Sequence, residues 1–297
     1  MVSPGILLVD KPAGLTSHDV VARTRKAFGT RKVGHAGTLD PMATGLLVIG
    51  IEGATRLLTY VVGADKTYEA TIRLGQTTGT DDADGEVLSQ ADDAAWGPVT
   101  SDRIAAAIAD LTGEISQVPS SVSAIKVDGR RAYDRVRAGE EVTLAARDVV
   151  VSRFDVLAER AGSGVIDLNV IVDCSSGTYI RSLARDLGSR LGVGGHLTAL
   201  RRTRIGPFDL DAAVGIDALD GAATLTPADA AGRVLAPLAV TAEEARDLRH
   251  GKRLAGQAGR LTDRLAAAVD PHGVLVGIVE RRGADLKSAM NMPEVTT

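Results

Sequence analysis

Asp40 is the side chain in this sequence best placed to do chemistry. It stands in GHAGTLDP, residues 34–41, with Gly34 and Gly37 before it and Pro41 after it. Glycine lets a backbone approach another molecule closely, and proline stiffens a turn. Loops held by a rigid scaffold commonly carry catalysis. With an ordinary pKa near about 3.9, an aspartate is roughly a thousandfold more ionised than neutral at pH 7. It can therefore act as nucleophile or base without activation. An aspartate in such a turn also has a plainer use, capping the loop as an Asx-turn residue. Local features taken alone favour that use.

The other candidate chemistry is cationic. Residues 22–35 carry Arg23, Arg25, Lys26, Arg31 and Lys32 with no acid. Residues 126–137 carry Lys126, Arg130, Arg131, Arg135 and Arg137 against Asp128 and Asp134, and Arg201, Arg202 and Arg204 cluster further on. Acids gather elsewhere, as in DDADGE at 81–86. The net charge of −4 argues mildly against a nucleic-acid partner, but the distribution matters more than the sum. Segregation of this kind suits one basic and one acidic face, or a set of solvated helix faces.

The elements that must hold these residues follow from patterning. GILLV at 5–9 reads as a buried strand. Ser17 is the expected N-cap of a helix running to Phe28, with Gly29 as its C-cap. The glycine-rich loop at 34–41 leads into the apolar run GLLVIGI and a short helix near 54–62. KTYEATIRL at 66–74 alternates like a strand, 76–98 reads as a polar surface loop, and 101–111 reads as a helix. An insertion at about 117–146 breaks the pattern with Pro, Ser, Gly and Arg. Strands are expected near 147–159 and 165–174, a helix at 178–191, and a further strand to Ile205. Residues 209–236 are poorly patterned. A helix at 242–250 precedes alternating segments joined by PHG at 271–273, a small β-rich module. No glycine-rich phosphate fingerprint follows the first strand. The expected class is α+β, with a central mixed or antiparallel sheet flanked by helices. The length of 297 residues suits one large domain, 1–236, and one small one, 237–297.

Several function classes fall away. A single cysteine, Cys174, excludes an internal disulfide framework and a cysteine-cluster metal site. It lies in the apolar run VIDLNVIVDC and reads as a buried structural thiol in a protein of the reducing cytoplasm. The short apolar run at the N-terminus, ended by Asp10, is no signal peptide, and no run of about 18 apolar residues exists to span a membrane. Neither a metal nor a cofactor is expected. Nothing points to a subunit interface, so a monomer is expected.

The segment GHAGTLDPMATGLL at 34–47 resembles the active-site motif of the TruB-type tRNA pseudouridine synthases. Five further signatures of that family stand in the same order: DKPAGLTSHDVV at 10–21, KTYEATIRLG at 66–75, the run from Gln117 to Val142, SSGTYIRSLARDLG at 175–188 and LRRTRIGPF at 200–208. Together they cover roughly the first 210 residues. The resemblance implies the pseudouridine synthase fold with a thumb-like insertion and a small PUA-like C-terminal module. It implies action on uridine 55 in the T-arm loop of tRNA, by flipping the base out. It makes Asp40 the catalytic carboxylate, Tyr68 the ring that stacks on the base, and Arg181 the cation that pairs with the carboxylate. His35 would fill the space that the extruded nucleotide leaves. Lys11 and Pro12 would stand beside the active site, with Tyr179 on the substrate side and Leu200 walling the base pocket. Lys126, Arg130 and Arg131, on the insertion, would meet the RNA.

These residue types suit the reaction. Pseudouridine formation exchanges the N1–C1′ bond of uridine for a C5–C1′ bond, with no redox change. The carboxylate has three routes: attack at C1′, attack at C6 of the ring, or removal of the C2′ proton. Two other readings stand beside this one. A non-catalytic RNA-binding or RNA-folding protein would use the same surface. A hydrolase of N-glycosidic bonds would release free uracil.

Overall fold

The computed structural model describes residues 2–120, 126–127, 130–131, 135, 140 and 144–293. The chain divides into two compact units, one built from residues 1–41, 45–63 and 205–297, the other from 42–44 and 64–204. Elements are numbered along the chain.

In the first unit, β1 (Gly5–Lys11) runs antiparallel to β3 (Thr44–Ile51), in register from Gly5 opposite Ile51 to Lys11 opposite Gly45. β2 (Val33–Ala36) lies antiparallel to β3, and β14 (Val214–Gly215) parallel to β1, so the sheet is mixed. β1 and β3 are near-continuous apolar runs because both faces are covered. Helix α1 (Ser17–Phe28) places Val20 and Val21 in a core with Leu7, Val9, Val33, Leu47, Ile49 and Ile51. Thr16 caps it rather than Ser17. The Thr16 hydroxyl accepts from the Asp19 N–H at 3.1 Å, and the Asp19 carboxylate accepts from the Thr16 N–H at 2.8 Å. The reason is that the Ser17 hydroxyl is turned inward for another purpose.

The same unit holds a four-stranded sheet in the order β15 (Pro237–Ala239), β16 (Leu265–Val269), β17 (Leu275–Arg282), β18 (Asp285–Asn291). Its core joins Leu238, Val240, Leu248, Val276, Val279 and Leu286. The Arg56 guanidinium donates to the Asn291 carbonyl at 2.7 Å and ties this sheet to the segment after β3. The poorly patterned stretch contains short strands, β13 (Phe208–Asp209) and β14, and an eight-residue helix, Pro227–Val234, capped by Thr226.

In the second unit, the strand order is β12 (Gly195–Ile205), β4 (Lys66–Leu74), β11 (Val165–Cys174), β10 (Arg147–Gly162), β7 (Gly113–Gln117). β4 and β11 are antiparallel, with Tyr68 opposite Val172 and Lys66 opposite Cys174. The helices Ser101–Ala109 and Ile180–Leu191 complete it. The expected surface loop at 76–98 is structured: β5 (Gln76–Thr78) and β6 (Val87–Gln90) form a hairpin. Its strands are too short and polar to register as alternation. Within the insertion, β8 (Lys126–Val127) pairs with β9 (Arg130–Arg131). Most of the insertion, and the side chains of Lys126, Arg130 and Arg131, lie outside the described residues.

Candidate functional site

The turn that presents Asp40 is clamped on both sides of it. Leu39, buried at 3% exposure, receives both bonds of one clamp: its N–H donates to the Ser17 hydroxyl oxygen at 2.9 Å, and its carbonyl accepts from that hydroxyl at 3.2 Å. On the other side, the Pro41 carbonyl accepts from the Gly14 N–H at 2.8 Å and from the Lys11 ammonium at 3.2 Å. Lys11 is completely buried and also donates to the carbonyls of Pro12 and Leu15, at 3.0 and 2.7 Å. A charged donor strengthens such bonds, and burial removes competition from water. Gly37 has φ +77°, the left-handed conformation that lets the chain leave β2 and enter this turn. Asp40 itself is half-exposed, between Leu39, which is anchored in the core, and the exposed Pro41. The arrangement fixes the backbone of a carboxylate that solvent and a ligand can reach.

His35 lies on β2 opposite Ile49, half-buried. It belongs to a strand, not to the loop that the glycines suggest. His35 and Lys11 thus share the first unit with Asp40.

Tyr68, Arg181, Tyr179 and Leu200 fall in the second unit. Tyr68 is buried on β4 at 7% exposure. Arg181, in the first turn of the helix Ile180–Leu191, is buried at 3%. Its guanidinium pairs with the Asp82 carboxylate at 3.4 Å, and donates to the Thr80 carbonyl at 2.8 Å and the Ser120 hydroxyl at 3.3 Å. Tyr179 caps that helix, and the buried Gln117 amide grips its backbone twice. The Tyr179 N–H donates to Gln117 Oε1 at 2.8 Å, and Gln117 Nε2 donates to the Tyr179 carbonyl at 3.0 Å. Leu200, on β12, is nearly buried, and its carbonyl accepts from the Thr44 hydroxyl at 3.5 Å.

Sequence reasoning missed Asp82, Gln117 and Ser17 as supports. Asp82 was legible only as part of an acidic run. Its burial at 3% exposure, inside DDADGE, has a local cause: its Oδ1 accepts from the Thr80 hydroxyl and from the Asp84 N–H, folding the run inward.

Two buried titratable groups, Lys66 and Cys174, face each other across β4 and β11 two positions along from Tyr68. Burial, with help from the neighbouring Arg202 cation, brings the Lys66 ammonium down to about 8. Burial pushes the Cys174 thiol up to about 11, as suits an unreactive structural thiol. Among the described residues, no group of three or more His, Cys, Asp or Glu stands ready to hold a metal ion. Nor is any described helix long and apolar enough to cross a membrane.

Ser17→Ala tests the clamp. Removing the hydroxyl leaves the buried Leu39 N–H without its acceptor, which costs about 1–3 kcal/mol. The expected result is a loss of that size in urea unfolding, and unaltered stability would show that the turn is held by other means.

A mixed α+β fold, a clamped turn that presents Asp40 and, in the second unit, a buried Arg181–Asp82 pair are the features to set beside known proteins. The family model described as "TruB family pseudouridylate synthase (N terminal domain)" matches residues 25–180. Those described as "tRNA pseudouridylate synthase B C-terminal domain" and "tRNA Pseudouridine synthase II, C terminal" match 181–245 and 235–293. The chain belongs to the TruB family of pseudouridylate synthases. It is 60% identical over 296 residues to tRNA pseudouridine synthase B of Leifsonia xyli subsp. xyli, covering 99% of this chain and 98% of that protein. It is 57% identical to tRNA pseudouridine synthase B of Arthrobacter sp. (strain FB24), covering 96% and 95%. Among solved structures, a chain of an H/ACA RNP bound to a substrate RNA containing 2′-deoxyuridine aligns with TM-score 0.71 and 25% identity. That alignment covers 98% of this chain and 85% of the other.

Proposed function

We propose that this chain isomerises uridine 55 in the T-arm loop of tRNA to pseudouridine, with Asp40 as the essential carboxylate. The observation that carries the reading is the double clamp on Leu39 and Pro41, which fixes the backbone on both sides of one half-exposed carboxylate. Misplacing a reacting group by about 1 Å can cost on the order of 100-fold in rate, so a fixed turn has a catalytic purpose. The family and the relatives named tRNA pseudouridine synthase B supply the substrate class.

In this reading Asp40 attacks the sugar or ring, or removes the C2′ proton, while the N1–C1′ bond breaks and the C5–C1′ bond forms. Tyr68 offers a flat face to the uracil and Leu200 an apolar wall. Arg181 is the cation that the family resemblance pairs with this carboxylate, and Asp82 holds its guanidinium. Extruding the base costs a few kcal/mol of unstacking. His35 offsets part of that by filling the vacated space. Lys11 acts through the Pro41 carbonyl, and Tyr179 through the helix that carries Arg181. Lys126, Arg130 and Arg131 contact phosphates, and no cofactor takes part.

Incubation with an unmodified T-arm stem-loop, followed by mapping of the product, tests the reading. Pseudouridine at the position of uridine 55 with no free uracil is the expected result. Release of uracil would identify a hydrolase, and unchanged RNA would leave a binding protein. Replacing Arg130 and Arg131 by alanine is expected to weaken binding and flatten the plot of log affinity against log salt. The slope should fall by about 0.7–0.9 for each phosphate that is no longer neutralised. An unchanged slope would take these two residues off the RNA.

A further inference from the structure

We infer that His18 is a positioning residue for His35, holding that ring in the orientation from which it replaces the extruded nucleotide. The inference rests on the role given to His35 above. The two rings meet edge to face, with centroids 5.8 Å apart and planes at 79°. That is the favoured geometry for aromatic pairs, because the positive edge of one ring meets the negative face of the other. His18 reaches this place through its position in α1. Thr16 and Asp19 form a reciprocal cap that fixes the first turn of the helix. Ser17, between cap and His18, is locked to Leu39 through its hydroxyl. The backbone of His18 is therefore set by the same bonds that set the Asp40 turn.

His18 is otherwise exposed, with no part in the core that Val20 and Val21 build. An exposed ring in the first turn of a helix contributes little to stability, so its meeting with His35 stands out. His35 in turn sits on a short strand, five residues before Asp40 along the chain, with its backbone paired to β3. A ring that must enter a stacked RNA loop gains from being held beforehand, since ordering it during the reaction would cost conformational freedom.

The test compares His18→Ala, His18→Phe, His35→Ala and the double alanine variant in single-turnover pseudouridine formation on a T-arm stem-loop. An aromatic pair of this geometry corresponds to about a two- to tenfold effect. His18→Ala is expected to slow the step by that factor with KM little changed. His18→Phe, which keeps a ring but no ring nitrogen, should restore it. The double variant should be no slower than His35→Ala, because His18 acts only through His35. On a short unstructured oligonucleotide, whose uridine is already unstacked, the His18→Ala defect should vanish.

If His35→Ala is slow while His18→Ala matches the unmodified protein, the inference fails and the role of His35 stands. If His35→Ala itself is fully active, the role of His35 fails and the inference with it. Failure of phenylalanine to rescue, or full additivity in the double variant, would mean that His18 meets the RNA directly, which overturns the positioning role.

Discussion

Asp40→Asn is expected to bind a T-arm stem-loop with unchanged affinity and to form no detectable pseudouridine, a loss on the order of 10⁴-fold or more. The substitution is nearly isosteric. Leu39 and Pro41 keep their clamps, which use backbone groups of those residues and side chains other than Asp40. Urea unfolding of the variant, measured alongside, separates a chemical loss from a structural one. An amide has no charge with which to attack carbon or remove a proton. Turnover is read as product per enzyme over hours, and affinity by filter binding at fixed salt. Retained turnover would remove Asp40 from the chemistry. Abolition of turnover and binding together would show that the carboxylate is needed to shape the turn, and the plainer Asx-turn role would then stand.

The second large effect is expected at Asp82. Its carboxylate and the Arg181 guanidinium lie 3.4 Å apart, with side chains 4% and 3% exposed. Breaking a buried pair by removing one partner typically costs about 3–5 kcal/mol, because a charge is left in low dielectric. Against a total stability of about 5–15 kcal/mol for a typical protein, that is a large fraction. Asp82→Ala should lower the urea midpoint strongly and slow pseudouridine formation, since the guanidinium loses the charge that orients it. Asp82 also shapes its own hairpin, accepting the Thr78 hydroxyl at its backbone carbonyl, at 2.7 Å. Asp82→Asn keeps an Oδ1 to accept from the Thr80 hydroxyl and the Asp84 N–H, bonds that Asp82→Ala loses, and removes only the charge, so it should be milder in stability. If both variants matched the unmodified protein in rate and midpoint, the pair would carry neither fold nor chemistry.

The sequence by itself determined the family and the order of the parts. Gly34, Gly37 and Pro41 around Asp40 made it a candidate but alone favoured an Asx turn, and it was the six ordered segments that placed the chain within one family. The buried strands at 5–11 and 66–74 were legible because a covered strand must be apolar and a half-covered one must alternate. The strand at 33–36 was not, because four residues containing Gly and His carry no period.

Tertiary structure alone decided what holds the reactive groups. Ser17 grips a residue 22 positions away, Gln117 grips Tyr179 across 62, and Arg181 reaches the Thr80 carbonyl across 101. In one acidic run Asp82 is folded inward and Glu86 is left exposed, and beyond the local bonds of Asp82 it is the distant Arg181 that its carboxylate meets. The physical reason is that periodicity fixes which face of an element is buried but not which backbone carbonyl or hydroxyl it will meet. Those partners are chosen by strand pairing and helix packing, which close only when the whole chain has folded.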